Sequence, residues 1–216
     1  MAELNISRGV DYYTNHVIRK KYLSEKLLVF DNFLDINDIL ELRNYAYNTE
    51  TDPDVLYNGG YRQISFTKEN YKDFIVQNII EKISKSLSIF QNKQFNRGWF
   101  FIYENECSGV TPHADQASTN LNIWLADDNS VKDCDKNGLI IYNKEAPKDW
   151  SFEDYNKNVP KITNFLIGAS KTSVKHKCNR VMIFESSKFH ETNGVSMKEG
   201  LRNRRINFTL LFNDKV

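Results

Sequence analysis

From residue 95 onward the chain is a succession of short apolar or alternating runs separated by turn-rich connections, and few folds accept that spacing. Phe95–Glu104 is aromatic and extended, Leu121–Leu125 alternates, and Gly138–Tyr142 is a short apolar run. Arg180–Phe184 and Ile206–Phe212 complete the set. β-Branched and aromatic residues at period two suit a pleated, half-buried surface. Short strands joined by such connections predict a mostly β chain folded as a double-stranded β-helix, a jelly-roll or cupin-like pair of sheets.

The first 90 residues predict something different. Lys26–Phe30 reads as a short buried strand, and Asp35 as the N-cap of a helix running from Ile36 to about Asn48. Its apolar Ile36, Ile39, Leu40, Leu42, Ala46 and Tyr47 recur at three and four. A second helix, from about Asn70 to Ile89, places Phe74, Ile75, Ile79, Ile83 and Leu87 on one side. Both are predicted as flanking buttresses on the sheet. Residues 1–26 lack a clear period and read as an N-terminal arm or as packing around the body. Breakers from Thr51 to Gly60 predict a loop, with Tyr61–Phe66 either an edge strand or substrate-side structure. Between Tyr142 and Asn179 lies an insertion, 143–179, in which Ser151 caps one short helix and Pro160 sits in the first turn of another. Connections of that length inside a compact fold usually carry a function.

Composition sets limits on partners and compartment. At 216 residues and 40% hydrophobic, 1–216 suits one domain with one core. A net charge of +1, from 29 basic and 28 acidic residues, supplies no general field toward polyanions, so nucleic acid is not indicated as a partner. Cys107, Cys134 and Cys178 form no Cys-x-x-Cys pair, which fits a reducing, cytoplasmic setting. No apolar run approaches the ~20 residues of a membrane span, so no membrane partner is expected.

The chemistry centres on Thr111-Pro112-His113-Ala114-Asp115, where an imidazole and a carboxylate two residues apart follow an aromatic strand. Alone, His-x-Asp is weak evidence, because short motifs arise by chance. It gains weight from His190, which follows the Val181–Phe184 strand far along the chain, so a barrel could gather all three side chains. Two imidazoles and one carboxylate with open positions suit a non-haem Fe(II) centre. His16 and His176 read as surface residues, His176 near an entrance. On the last strand, period two puts Arg205, Asn207, Thr209 and Leu211 on one face and Arg204, Ile206, Phe208, Leu210 and Phe212 on the other. Arg205 is therefore predicted to face the cavity, where a guanidinium can grip a carboxylate bidentately. Arg204 is expected to pair at the strand end, and Arg202 to be in solvent.

With those residues the chain resembles the 2-oxoglutarate and Fe(II)-dependent oxygenases, in their prolyl-4-hydroxylase-like branch, over roughly residues 27–213. The resemblance implies that His113, Asp115 and His190 bind iron and that Arg205, assisted by Thr209, holds the distal carboxylate of the co-substrate 2-oxoglutarate. It also implies that Tyr103, ten residues before the first His, contacts the co-substrate. Trp124 stands where relatives often carry another aromatic over it, and Asn122 and Asn207 share the corresponding strand faces. Tyr103 and Trp124 have an equally ready reading as aromatic core. The implied activity is dioxygenase chemistry with O2 as second co-substrate, hydroxylating a C–H bond of a small-molecule or peptidyl substrate with release of succinate and CO2. The chain departs from the pattern in carrying Cys107-Ser108-Gly109 where relatives have a Pro-Gly turn, and in a longer interval between His190 and Arg205. Halogenation, found in relatives lacking the carboxylate ligand, does not fit a chain that has Asp115. Two other readings stay open: a metal-binding cupin-like isomerase or hydrolase that does not use 2-oxoglutarate, and a non-catalytic binding protein on the same fold. The 143–179 insertion, with Trp150, Phe152, Tyr155, Phe165 and Leu166, together with Asn58-Gly59-Gly60-Tyr61, is expected to form a lid or rim. Its basic end, Lys171, Lys175, His176 and Lys177, is a candidate attractor of acidic substrate.

Overall fold

The protein is described from a computed structural model, for residues 2–49, 57, 59–70 and 73–215. In chain order the elements are β1 (Ala2–Glu3), α1 (Tyr12–Glu25), β2 (Leu27–Asp31), α2 (Ile36–Asn48), β3 (Tyr61–Thr67) and α3 (Phe74–Ser86). Then come β4 (Lys93–Tyr103), β5 (Glu106–Cys107), β6 (Thr119–Trp124), β7 (Leu139–Glu145), α4 (Phe152–Asn156) and α5 (Val159–Phe165). The chain closes with β8 (Lys171–Val174), β9 (Val181–Glu185), β10 (Lys188–Thr192), β11 (Val195–Ser196) and β12 (Ile206–Asp214).

Seven strands form the major sheet in the order β1-β2-β9-β6-β12-β4-β3. Facing it are a three-stranded sheet, β10-β7-β8, and the small β11-β5 pair. The β9–β10 hairpin turns at Ser186 and Ser187, so consecutive strands belong to opposite sheets, the hallmark of the jelly-roll that the strand spacing predicts. Alternation divides the major sheet into two faces. Phe100, Leu121, Ile123, Phe208, Leu210 and Phe212 pack outward with Ile39 and Leu42 of α2 and Val76, Ile79 and Ile83 of α3. Full burial of such side chains contributes roughly 1.5–3 kcal/mol each, so this layer is the main source of stability. The opposite face, with Asn120, Asn122, Arg205, Asn207 and Thr209, looks into the space between the sheets, where the site lies.

Several expectations need correction. Residues 1–26, read as an arm or as packing around the body, contain a helix that the sequence did not suggest, α1, capped by Asp11, whose carboxylate accepts from Thr14 N at 2.9 Å. Only Ile18 and Tyr22 of α1 are buried, too few to reveal a helical period. Phe74 does not belong to the apolar stripe of α3, being 76% exposed; Val76 and Ile80 take its place. Ile36 and Leu40 of α2 are exposed as well. Asp35 is the N-cap residue, but its side chain makes no cap bond and accepts from Asn5 Nδ2 instead. Tyr61–Phe66 resolves as β3, the edge strand. Residues 51–56 of the expected loop, and Asn58, lie outside the described residues. The insertion is smaller than its sequence limits suggest, because β7 extends to Glu145 and is paired by β8, leaving two short helices between them. Ser151 caps α4 in a reciprocal capping box with Asp154, and Pro160 lies in the first turn of α5. Among the described residues no helix is long and apolar enough to cross a membrane.

Candidate active site

His113 and His190 are joined by their backbones. His113 N donates to His190 O at 3.0 Å and His190 N to His113 O at 2.8 Å, an isolated antiparallel bridge between the loop before β6 and strand β10. The two rings lie 4.3 Å apart, centroid to centroid. Asp115 is fixed beside them by its own N–H, which donates to Ser186 O at 2.9 Å. Its carboxylate lies 3.9 Å from His113 Nε2 and 3.5 Å from His190 Nε2. One ligand atom from each residue falls within 4.8 Å of the others.

The protonation of this triad is set by its surroundings. Nδ1 of His113 lies 2.8 Å from Thr111 O, and Nδ1 of His190 lies 3.0 Å from Lys188 O. A carbonyl at Nδ1 selects the Nδ1–H tautomer and leaves the Nε2 lone pair free to bind a metal. Burial, and then the neighbouring His113, push the His190 pKa down to about 4, so it stands neutral. Asp115 Oδ2 accepts from Asn120 Nδ2 at 2.5 Å, and Asn120 Oδ1 accepts in turn from Asn122 Nδ2. Asn122 Oδ1 accepts from Asn207 Nδ2 at 2.6 Å and from the Thr209 hydroxyl at 2.8 Å. A continuous chain of amides thus links the carboxylate to β12.

At the inner end of that chain lies Arg205, with no exposed surface. Its Nε donates to Asn137 O at 2.9 Å, and its guanidinium carbon sits 4.5 Å from the centre of the Tyr103 ring. Both Nη atoms are buried and meet no acceptor among the described residues. Burial lowers the Arg205 pKa below its ordinary value. A buried cation lacking a counter-charge costs several kcal/mol, a strain that a carboxylate guest would relieve. Two imidazole donors, one carboxylate and this orphaned guanidinium together fit a divalent iron and a dicarboxylate. Free space around Arg205 is small, about 20 Å³, but it opens past Trp99, Phe101, His113 and Asp115 into a cavity of about 300 Å³. A guest anchored at Arg205 must therefore extend toward the triad.

Most of the predicted residues converge here. His113, Asp115, His190, Arg205, Thr209, Asn207, Asn122 and Tyr103 line the inner recess. Trp124 does not; it is buried with Leu139, Met182 and Phe184, its ring 5.7 Å from the Arg205 guanidinium, so it backs that residue and fits the aromatic-core reading. Arg204 pairs with Glu104 at 2.6 Å, and Arg202 is exposed, as the strand register requires. His176 is a correction: its side chain is only 2% exposed, lies 5.5 Å from Trp124 and is not at an entrance. Burial, followed by the charge of Arg205, pushes its pKa down to about 3. Lys175 and Lys177 are engaged by Asp135 and Asp31, and neither they nor Lys171 reach the cavity.

Sequence reasoning passed over Asn120, although period two along β6 places Asn120, Asn122 and Trp124 on one face. It also passed over Arg97, Trp99 and Phe101, which share a face of β4 with Tyr103. From the insertion, Phe152 and Asn156 reach the outer cavity, as does Tyr61. The insertion also braces the ligand loop. Tyr155 O accepts from Ala114 N at 2.9 Å, and Asn156 Nδ2 donates to Ala114 O at 2.8 Å. Ala114, Phe189, Ile162 and Leu166 form one buried cluster, with Trp150 and Phe165 against it.

No protein-family model matches the sequence, and no curated protein sequence matches it. Solved structures do. The non-heme alpha ketoglutarate dependent epimerase SnoN from nogalamycin biosynthesis aligns with a TM-score of 0.70 at 11% identity, over 94% of this chain and 84% of that one. A Pseudomonas putida prolyl-4-hydroxylase aligns at 0.59 and 12%, over 94% and 100%. HygX from Streptomyces hygroscopicus, solved with nickel and 2-oxoglutarate bound, aligns at 0.63 and 7%, over 95% and 88%. At such identities the likeness is one of architecture, and by its architecture this chain has the jelly-roll fold of the 2-oxoglutarate- and Fe(II)-dependent oxygenases.

Proposed function

We propose that the protein is an Fe(II)- and 2-oxoglutarate-dependent dioxygenase that hydroxylates a C–H bond. His113, Asp115 and His190 would hold the iron, with Nε2 of each imidazole presented to it. Arg205 would hold the distal carboxylate of 2-oxoglutarate, and Tyr103, Asn122, Asn207 and Thr209 would wall its path. When both are bound, O2 would be the oxidant activated at the iron, one of its oxygen atoms and two electrons being accounted for by conversion of 2-oxoglutarate to succinate and CO2, the other atom and two electrons by hydroxylation of the substrate C–H bond.

The chain's own part is positioning and exclusion. The amide chain through Asn120 fixes Oδ2 of Asp115, the oxygen 3.5 Å from His190 Nε2, and leaves Oδ1 without that bond, 3.9 Å from His113 Nε2. The Nδ1 contacts hold both rings in the ligating tautomer. Tyr61 and Phe152 line the outer cavity, and the role we assign to this rim is to limit access of bulk water.

The observation that carries this reading is the pair of unsatisfied, fully buried Nη atoms of Arg205 beside a two-histidine, one-carboxylate cluster. A metal-dependent isomerase or hydrolase has no use for that guanidinium. The similar structures include an epimerase and a carbocyclase, which bear on the outcome of the reaction at carbon rather than on co-substrate use. The test is succinate formation from 2-oxoglutarate with Fe(II) and O2 by the parent, by Arg205→Met and by Arg204→Met. The proposal expects the 2-oxoglutarate requirement to rise far more for Arg205→Met than for Arg204→Met. Absence of 2-oxoglutarate binding by the iron-loaded parent would favour the isomerase or hydrolase.

A further inference from the structure

We infer that the outer half of the cavity is an anion-selective substrate site. In it Arg97 holds a carboxylate or phosphate of a small molecule whose apolar or planar body lies across Trp99 and Phe101. The inference deepens the oxygenase reading by naming its substrate class, and it rests on that reading only for what is done to the bound molecule.

The first support is strand register. Arg97, Trp99 and Phe101 are cross-strand partners of Leu211, Thr209 and Asn207, and Tyr103 N donates to Arg205 O at 3.0 Å. Two parallel rows of side chains therefore floor the cavity. They end in one guanidinium at the inner end and another at the outer end, six residues along β4 or roughly 20 Å of strand. His113 and Asp115 line both halves, between the two ends.

The second support is the pairing of arginines. Among the described residues, each arginine that is not exposed has a carboxylate, with two exceptions. Arg43 faces Asp127, Arg62 and Arg204 share Glu104, and Arg180 is held by Asp31. The exceptions are Arg205 and Arg97. Among the described residues Arg97 Nε is buried without an acceptor, and the only carboxylate lining this part of the cavity is that of Asp115, engaged by Asn120. A half-buried guanidinium left open in a cavity is the feature that selects an anion, because its planar fork matches carboxylate and phosphate oxygens.

The third support is the wall. The Phe101 ring lies 4.4 Å from Tyr61 and 5.7 Å from Trp99, which makes a contiguous aromatic surface beside the cation. Gln63 and Gln116 add neutral amides but no competing negative charge. A volume of about 300 Å³ matches the lower end of small-molecule sites.

The test uses benzoate, 3-phenylpropionate and phenyl phosphate as probes, each beside its neutral counterpart, benzamide, 3-phenylpropionamide and phenol. Binding is measured by calorimetry on protein loaded anaerobically with Fe(II) and 2-oxoglutarate, so that Arg205 is occupied, and again on protein without either. The expected result is that at least one acid binds about tenfold or more tightly than its counterpart, the size of one charge-assisted contact. Arg97→Gln should erase that preference and Arg97→Lys should keep part of it. No preference for any acid in the parent, or a preference that survives Arg97→Gln, overturns the inference. Should Arg97→Gln not fold, labelling of Arg97 by phenylglyoxal in the parent decides: protection by the preferred acid supports the site, and unchanged labelling removes it. If 2-oxoglutarate does not bind but the Arg97-dependent preference persists, the oxygenase reading falls and the anion site stands. The reverse pattern removes the anion site alone.

Discussion

Replacing Arg205 with Met should separate co-substrate binding from stability in opposite directions. In the ligand-free protein the guanidinium is fully buried with one hydrogen bond, Nε to Asn137 O, and two empty Nη atoms. Its removal forfeits that bond and leaves the Asn137 carbonyl unpaired, roughly 1–3 kcal/mol. Against this it removes an uncompensated buried charge, whose cost is several kcal/mol, and puts an apolar side chain against Tyr103 and Trp124. The ligand-free variant should thus be as stable as the parent or more so. Binding should move the other way, because two charge-assisted bonds at about 1.5–3 kcal/mol each are lost, or about 10²- to 10⁴-fold in the dissociation constant. The assay is urea unfolding of both proteins loaded with Fe(II) under nitrogen, with and without 2-oxoglutarate. A ligand present at 100 times its dissociation constant adds about 2.7 kcal/mol to the parent, and this increment should vanish in Arg205→Met. A variant that is strongly destabilised without ligand yet keeps the increment would refute the reasoning and make Arg205 a structural residue.

Further predictions address the supports of the site. Asn120→Ala removes the donor to Asp115 Oδ2, and loss of such an outer contact should weaken Fe(II) binding about 10- to 100-fold by equilibrium dialysis, with little change in fold by circular dichroism. Trp150 packs 5.1 Å from Phe165 and 6.2 Å from Phe189. Being half-buried, Trp150→Ala should cost roughly 2–3 kcal/mol in urea unfolding, below the 3–5 of a fully buried ring. His176 titrates near 3 in the folded protein against an ordinary 6.5, so the unfolded chain takes up a proton first as pH falls. Its contribution is whole above pH 6.5 and is lost progressively from there toward pH 3, and unfolding midpoints of His176→Phe across that range should fall less steeply than the parent's.

How much of this could be read in the chain depended on where periodicity was clean. The last strand was the clearest case: strict alternation put Arg205, Asn207 and Thr209 on one face and Ile206, Phe208 and Leu210 on the other, and the folded protein divides them the same way. The ligand triad was legible because residue type limits metal binding more sharply than position does. Helix α1 was not legible, since it buries only two of its residues and its other apolar side chains, Tyr12, Tyr13, Val17 and Leu23, face outward. His176 read as a surface residue from its lysine neighbours, yet Lys175 and Lys177 turn out to their carboxylates while the imidazole between them turns in. Asn120 and Arg97 matter through partners far away in sequence, or through the lack of one, and neither property has a local signature.

The most direct measurement is a crystal structure of the protein grown under nitrogen with Fe(II) and 2-oxoglutarate, with anomalous data collected across the iron edge. One iron peak is expected, bonded to Nε2 of His113, Nε2 of His190 and the Asp115 carboxylate, with the distal carboxylate of 2-oxoglutarate on both Nη atoms of Arg205. Iron elsewhere, or a 2-oxoglutarate carboxylate that leaves Arg205 unpaired, would contradict the proposed site.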